Sequence, residues 1–240
     1  MNILVTGCSR GLGLEICRLL LSRGHNVYAI ARSYSDEFRA LDGKFAGDLF
    51  FKKFDLSQTE RVYEDVFKNF ITNDVRLDGV VNNAAIAYDD IITNLNLERL
   101  KAMYDVNVFT PMAITKYAIR QMLLHRNAGS IVHISSISAH TGYKGLAMYA
   151  SGKGALEAFS KNTAREWGGY SIRSNTVVAG FMETAMSSTL SDEQKERIFN
   201  RTSLKSAVDV ASVAETVAFL LSDDARSITG QNVFVDNGTI

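Results

Sequence analysis

The chain has 240 residues, 46% hydrophobic and 22% charged, which suits one globular domain with a sizeable core. Lysine plus arginine and aspartate plus glutamate each total 26, so no basic excess points to nucleic acid and no acidic excess to a charged scaffold; a small neutral or anionic substrate fits better. With only Cys8 and Cys17, no charged-then-apolar leader and no apolar run near the ~18 residues of a membrane span, a soluble protein of the reducing cytoplasm is expected, with no membrane partner.

"NILVT" predicts a first strand, and "TGCSRGLG" follows it with glycines at 7, 11 and 13. "GLEICRLLLSRG" then places Leu12, Ile16, Leu19 and Leu20 at helical spacing, with Gly24 as the stop. A glycine loop between a strand and an amphipathic helix exposes backbone N–H groups at the helix start, the setting of a dinucleotide fingerprint; glycines also serve ordinary turns. The second run, "NVYAIARS", ends on Ala31 and Arg32 without the acid that would accept from a ribose 2′-hydroxyl. Arg32 and Arg10 offer fork-like donors to a 2′-phosphate instead, which favours NADP(H) over NAD(H). "LFFKKF" leads to Asp55, which either meets the adenine amino group or caps the next helix.

"LDGVVNNA" brings Asn82 and Asn83, and "SIVHIS" ends at Ser136. In "MYASGKGALEAF" a tyrosine stands four residues before a lysine, so a helix carries Tyr149 and Lys153 on one face. Further along the same helix, Leu156, Phe159, Thr163 and Trp167 face either the core or a partner helix. After "SIRSNTVV", the polar, helix-prone stretch Gly180–Leu204 reads as a lid over a site at the carboxyl edge of a sheet, and "NVFVD" closes the series. Seven apolar runs, as a set rich in β-branched residues, alternate with helical segments and predict an α/β fold: a doubly wound parallel sheet of about seven strands with helices on both faces. With no repeat and Pro111 as the only proline, residues 1–240 are expected to form a single domain. The histidines, at 25, 125, 133 and 140, lack metal-ligand spacing, so no metal site is expected; His133 reads as a strand residue.

These motifs, in this order and over Asn2 to Gly238, resemble the short-chain dehydrogenase/reductase family. The set is "TGCSRGLG", "NNAA" at Asn82 to Ala85, "DVNV" with Asn107, "ISS" ending at Ser136, and "YASGK", with Ser136 thirteen residues before Tyr149. The resemblance implies a single-domain Rossmann fold and a catalytic set of Asn107, Ser136, Tyr149 and Lys153. A phenol has a pKa of about 10, so the lysine charge is expected to bring that of Tyr149 toward working pH, making it the general acid or base. Ser136 is expected to hold the substrate oxygen, and Asn107 either a relay water to Lys153 or backbone groups at a helix bend.

The cofactor site implied for NADP(H) comprises Gly7, Ser9, Arg10, Gly11, Leu12, Gly13, Arg32, Ser33, Asp55, Leu56, Asn83, Ala84, Ala85, Tyr149, Lys153, Gly180, Met182 and Thr184. Ala85 stands where the family has its last "NNAG" glycine, and Ala179-Gly180 replaces a typical "PG". The substrate pocket is expected to include Ser138, His140, Tyr143 and Met186, with His140 either tuning specificity or exposed, and Met148, Phe181 and Met182 adding an apolar wall.

The 3-oxoacyl-[acyl-carrier-protein] reductase branch is the nearest resemblance, implying NADPH-dependent reduction of a carrier-bound ketone. The positions aligned to the carrier-docking basic residues hold Asn127 and Tyr170, so Arg126 and Arg173 are the substitutes. The alternatives are a small-ketone, polyol or sugar reductase, and, from another class, a noncatalytic NADPH-binding sensor or assembly protein. Family likeness also implies a homo-oligomer, tetramer or dimer.

Overall fold

The structure, a computed structural model, describes residues 1–184 and 191–240. The seven apolar runs all become strands: β1 (Asn2–Thr6), β2 (Asn26–Ala31), β3 (Leu49–Lys53), β4 (Gly79–Asn82), β5 (Gly129–Ser136), β6 (Ile172–Ala179) and β7 (Asn232–Val235). They make one sheet in the order β3-β2-β1-β4-β5-β6-β7, with every neighbouring pair parallel. Parallel neighbours need crossovers, so helices fall on both faces and the result is the expected Rossmann sheet.

The helices are α1 (Gly11–Ser22), α2 (Asp36–Lys44), α3 (Leu97–Tyr104), α4 (Thr110–His125), α5 (Ala147–Trp167), α6 (Asp192–Phe199) and α7 (Val210–Leu221), with a wide helical segment over Val62–Ile71. Alternation along β1 shows how one strand serves both layers. Ile3 and Val5 pack in the layer of Ile16, Leu20, Val213 and Val217, whereas Leu4 packs in the layer of Val66, Ile114 and Met122. Each such buried aliphatic side chain contributes about 1.5–3 kcal/mol. Leu156 and Thr163 are buried, Phe159 packs edge-on against His133 and Trp167 against the second layer, so this stripe of α5 faces the core.

Between α3 and α4 the chain makes one wide turn, Asp105–Phe109. Pro111 supplies the reason: it has no N–H to donate and its ring presses on the carbonyl four residues back, that of Asn107, so the regular ladder opens there. Gly24, with φ of 76°, ends α1 as expected. In the Gly180–Leu204 stretch, α6 is helical behind a capping box in which Ser191 and Gln194 exchange side-chain and backbone hydrogen bonds. Among the described residues, no helix is long and apolar enough to cross a membrane.

Candidate active site

Strand β1 pairs with β2 on one side and β4 on the other, so the crossovers leave in opposite directions and a crevice opens at the carboxyl ends. A cavity of about 800 Å³ occupies it and continues past the ends of β5 and β6. Its lining brings together every residue expected of the cofactor site: Gly7 to Gly13 with the exception of Cys8, then Arg32, Ser33, Asp55, Leu56, Asn83, Ala84, Ala85, Tyr149, Lys153, Gly180, Met182 and Thr184. Ser136, Ser138 and Tyr143 line it too.

The glycine loop is held from two directions. Asn83 Nδ2 donates to the carbonyls of Thr6 (2.9 Å) and Gly7 (3.2 Å), while Thr6 Oγ1 receives the N–H groups of Asn83 and Ala84. Gly7 and Gly11 are left-handed, with φ of 71° and 54°, and a Cβ on Gly13 would stand 2.1 Å from the Gly7 carbonyl. Helix α1 then starts without a side-chain cap and with no acid in its first turn, leaving its N–H groups facing the cavity. At the far end Arg10 and Arg32 are exposed, and Arg32 also borders a groove lined by Lys52 and Lys53. Asp55 Oδ1 accepts from Ser57 N at 3.0 Å, so it serves the chain as a turn cap while still lining the cavity. A glycine cradle, a helix start without an acid and a cationic end fit a dinucleotide that carries a 2′-phosphate.

At the other end, Lys153 is 2% exposed and donates from Nζ to the carbonyl of Ile134 at 2.8 Å, with its nitrogen 5.6 Å from the ring centre of Tyr149. Burial pushes the lysine down to about 8. The Tyr149 phenol is pushed up to about 12, first by burial and then by the negative charge of Asp89, so the expected lowering of the phenol by Lys153 is not what this chain by itself produces. Ser136 Oγ accepts from Ser138 N (3.2 Å) and Ser138 Oγ (3.1 Å), so both donors come from behind it and its own proton remains to be given.

Asn107 lies outside the cavity lining. Its amide makes a two-way clamp on Ile86, accepting from Ile86 N and donating to Ile86 O, both at 2.9 Å. That clamp fixes the segment after "NNAA". Asn82 is buried between strands, donating to Thr115 Oγ1 and facing His133 Nδ1, both at 3.3 Å; His133 is a strand residue held down to about 3 by burial and by the charge of Lys153.

Besides the Tyr149 phenol, the structure decides the expectations for His140 and Arg173. Of the two readings of His140 the exposed one holds, and the residue does not line the cavity. Its Nε2 lies 2.7 Å from Glu157 Oε2 and its ring meets Phe234 edge-on at 4.8 Å, because the short helical turn after Ser136 carries it toward β7. Arg173 is not available to a carrier protein, since it donates to the carbonyls of Leu220, Leu221 and Ser222 and so caps the end of α7. Met186 lies outside the described residues.

Sequence reading missed Glu157, which is buried one turn beyond Lys153 and accepts from Ser135 Oγ, from Asn232 Nδ2 (2.7 Å) and at His140. An acid on the Tyr149–Lys153 face was the available signal, because an acid on a buried helix face needs partners. It also missed Asp89, Lys144, Arg197 and Arg201 in the cavity lining.

A family model described as enoyl-(acyl carrier protein) reductase matches residues 7–239. The 3-oxoacyl-[acyl-carrier-protein] reductase FabG of Salmonella typhimurium is 33% identical over 237 residues, covering 98% of this chain and 95% of that protein. FabG of Escherichia coli is also 33% identical, with the same two shares covered. Among solved structures, one described as ElxO with NADP bound superposes with a TM-score of 0.90 at 27% identity, covering 99% of this chain and 98% of that one.

Proposed function

Since the chain belongs to the short-chain dehydrogenase/reductase family of oxidoreductases, we propose that it uses NADPH to reduce the ketone of a 3-oxoacyl thioester to a secondary alcohol. The single observation that carries the reading is the convergence of Ser136, Tyr149 and Lys153 on the cavity that the glycine loop opens. NADPH, when bound, supplies the hydride that adds to the carbonyl carbon. Everything else is done by the chain.

Ser136, its acceptor side filled by Ser138, gives its proton as a hydrogen bond to the ketone oxygen and holds that oxygen against Tyr149. As the carbon gains its new bond, the carbonyl π pair moves onto oxygen, and Tyr149 transfers its phenolic proton to that oxygen. A phenol held near 12 stays protonated at neutral pH, as a general acid must before it acts. Lys153 spends one proton on Ile134 and keeps two N–H groups to steady the phenolate that forms and to hold the nicotinamide ribose. Asn107, through its clamp on Ile86, sets the wall on which the substrate rests. Glycine loop residues with Arg10 and Arg32 bind the phosphates, and residues 180–204 act as the lid, with Met182 and Thr184 on its cavity side. The family resemblance implies that the chain self-associates, and an acyl carrier protein is the partner that would deliver the thioester.

The test is NADPH and NADH consumption with 3-oxoacyl thioesters, small diketones and keto sugars, alongside Tyr149→Phe. Turnover of the thioesters with NADPH, reduced by at least about 100-fold in the variant, is expected. Exclusive turnover of the sugars or diketones would reassign the substrate; tight NADPH binding with no turnover would favour the sensor reading.

A further inference from the structure

Helix α6 sorts its charges. Gln194, Arg197 and Ile198 share one face of the helix and line the cavity, as does Arg201 in the turn just beyond the helix end, while Asp192, Glu193 and Glu196 do not. The helix and the turn after it thus bring one apolar residue and two guanidiniums to the cavity, where an apolar stripe would suit an uncharged acyl chain better. The other cation of α6, Lys195, is neutralised by Glu183 at 3.0 Å. Arg197 and Arg201 have no ion-pair partner among the described residues; Arg201 lies over the ring of Tyr143, itself in the lining, with its guanidinium carbon 5.8 Å from the ring centre. Lys144 adds a third cation to the lining, also without an ion pair among the described residues. The acid at this end, Asp89, feels the charge of Arg99, which stands over the Tyr88 ring. Positive charge is therefore in excess beside the reacting groups, separate from the Arg10 and Arg32 pair at the opposite end.

We infer that the substrate carries an oxyanion, a carboxylate or a phosphate ester, away from its ketone, and that Arg197 and Arg201 hold it through charged hydrogen bonds while the ketone meets Ser136 and Tyr149. The inference rests on the reductase reading and narrows its substrate class. A neutral ketone lacks this anchor. For a thioester substrate the oxyanion is the phosphate of its pantetheine arm; for a free keto acid it is the carboxylate.

Matched ketone pairs distinguish the two sources: acetoacetyl-coenzyme A against the neutral acetoacetyl-N-acetylcysteamine, and acetoacetate against its methyl ester. The anionic member of at least one pair is expected to have the higher kcat/KM by about 10- to 100-fold, expressed in KM, as one charged hydrogen bond or more would supply. That ratio should shrink between about 50 and about 500 mM salt. It should fall close to one in R197Q/R201Q and persist in K195Q, which removes a positive charge from the same segment but not from the cavity lining. A ratio near one for both pairs in the unaltered chain, or a ratio unchanged in R197Q/R201Q, overturns the inference while leaving the reductase reading intact if the neutral ketones turn over. If none of the four ketones reacts, the 3-oxoacyl reading of the substrate fails instead. Titration of the NADPH-loaded protein with coenzyme A and with succinate then decides the anion site: binding weakened about tenfold or more in R197Q/R201Q sustains it, and equal or absent binding overturns it.

Discussion

Lys153→Met should make this protein more stable while abolishing its turnover. The lysine is 2% exposed, and burial brings its pKa from 10.5 to about 8. Holding that ammonium inside the fold at neutral pH costs about 3 kcal/mol relative to the unfolded chain. Methionine matches its length and carries no charge, but it leaves the Ile134 carbonyl without its donor, a loss of about 1–2 kcal/mol. The net expectation is a gain of about 1–2 kcal/mol at pH 7. The pH dependence provides the sharper test. Because the folded pKa lies below the unfolded one, the unfolded chain binds more protons between about 8 and 10.5, so the stability of the unaltered protein rises with pH through that window; below it the full cost applies. By pH 9.5 about 2 kcal/mol of the cost is relieved and the advantage of the variant disappears. Urea unfolding of both proteins at pH 7 and 9.5 measures this. A variant less stable at pH 7, or a stability difference identical at the two pH values, would refute the view that a buried charge is being held at the expense of the fold.

Two further outcomes follow from the same geometry. Arg32→Glu replaces a donor at the end of β2 with the acid that suits a free 2′-hydroxyl, so the preference for NADPH over NADH should fall by about 100-fold, read as the ratio of kcat/KM for the two nucleotides; an unchanged ratio would exclude Arg32 from phosphate recognition. Glu157→Ala deprives Ser135 and Asn232 of their shared acceptor and His140 of its partner, which should cost about 2–4 kcal/mol in urea unfolding. A cost below about 0.5 kcal/mol would show that water replaces the carboxylate there.

What the sequence by itself determined was local or periodic. The seven apolar runs became the seven strands, the central ones because burial on both faces of a parallel sheet demands such runs, and strand β2 appeared over the residues that "NVYAIA" names. The glycine spacing was legible because the constraint acts within a few residues: Gly7 and Gly11 need positive φ, and Gly13 must let the Gly7 carbonyl approach. Tyr149 and Lys153 were legible as a pair because one helical turn separates them. The tertiary structure alone decided where side chains go when their neighbours are distant in the chain. His140 left the expected pocket because Glu157 and Phe234 wait beside it, Arg173 was taken by the end of α7, and the guanidiniums of Arg197 and Arg201 came to line the cavity. It alone decided the charge states as well. The Tyr149 phenol rises and the Lys153 ammonium falls because desolvation depends on everything packed around a group, and a one-dimensional spacing carries no measure of that burial.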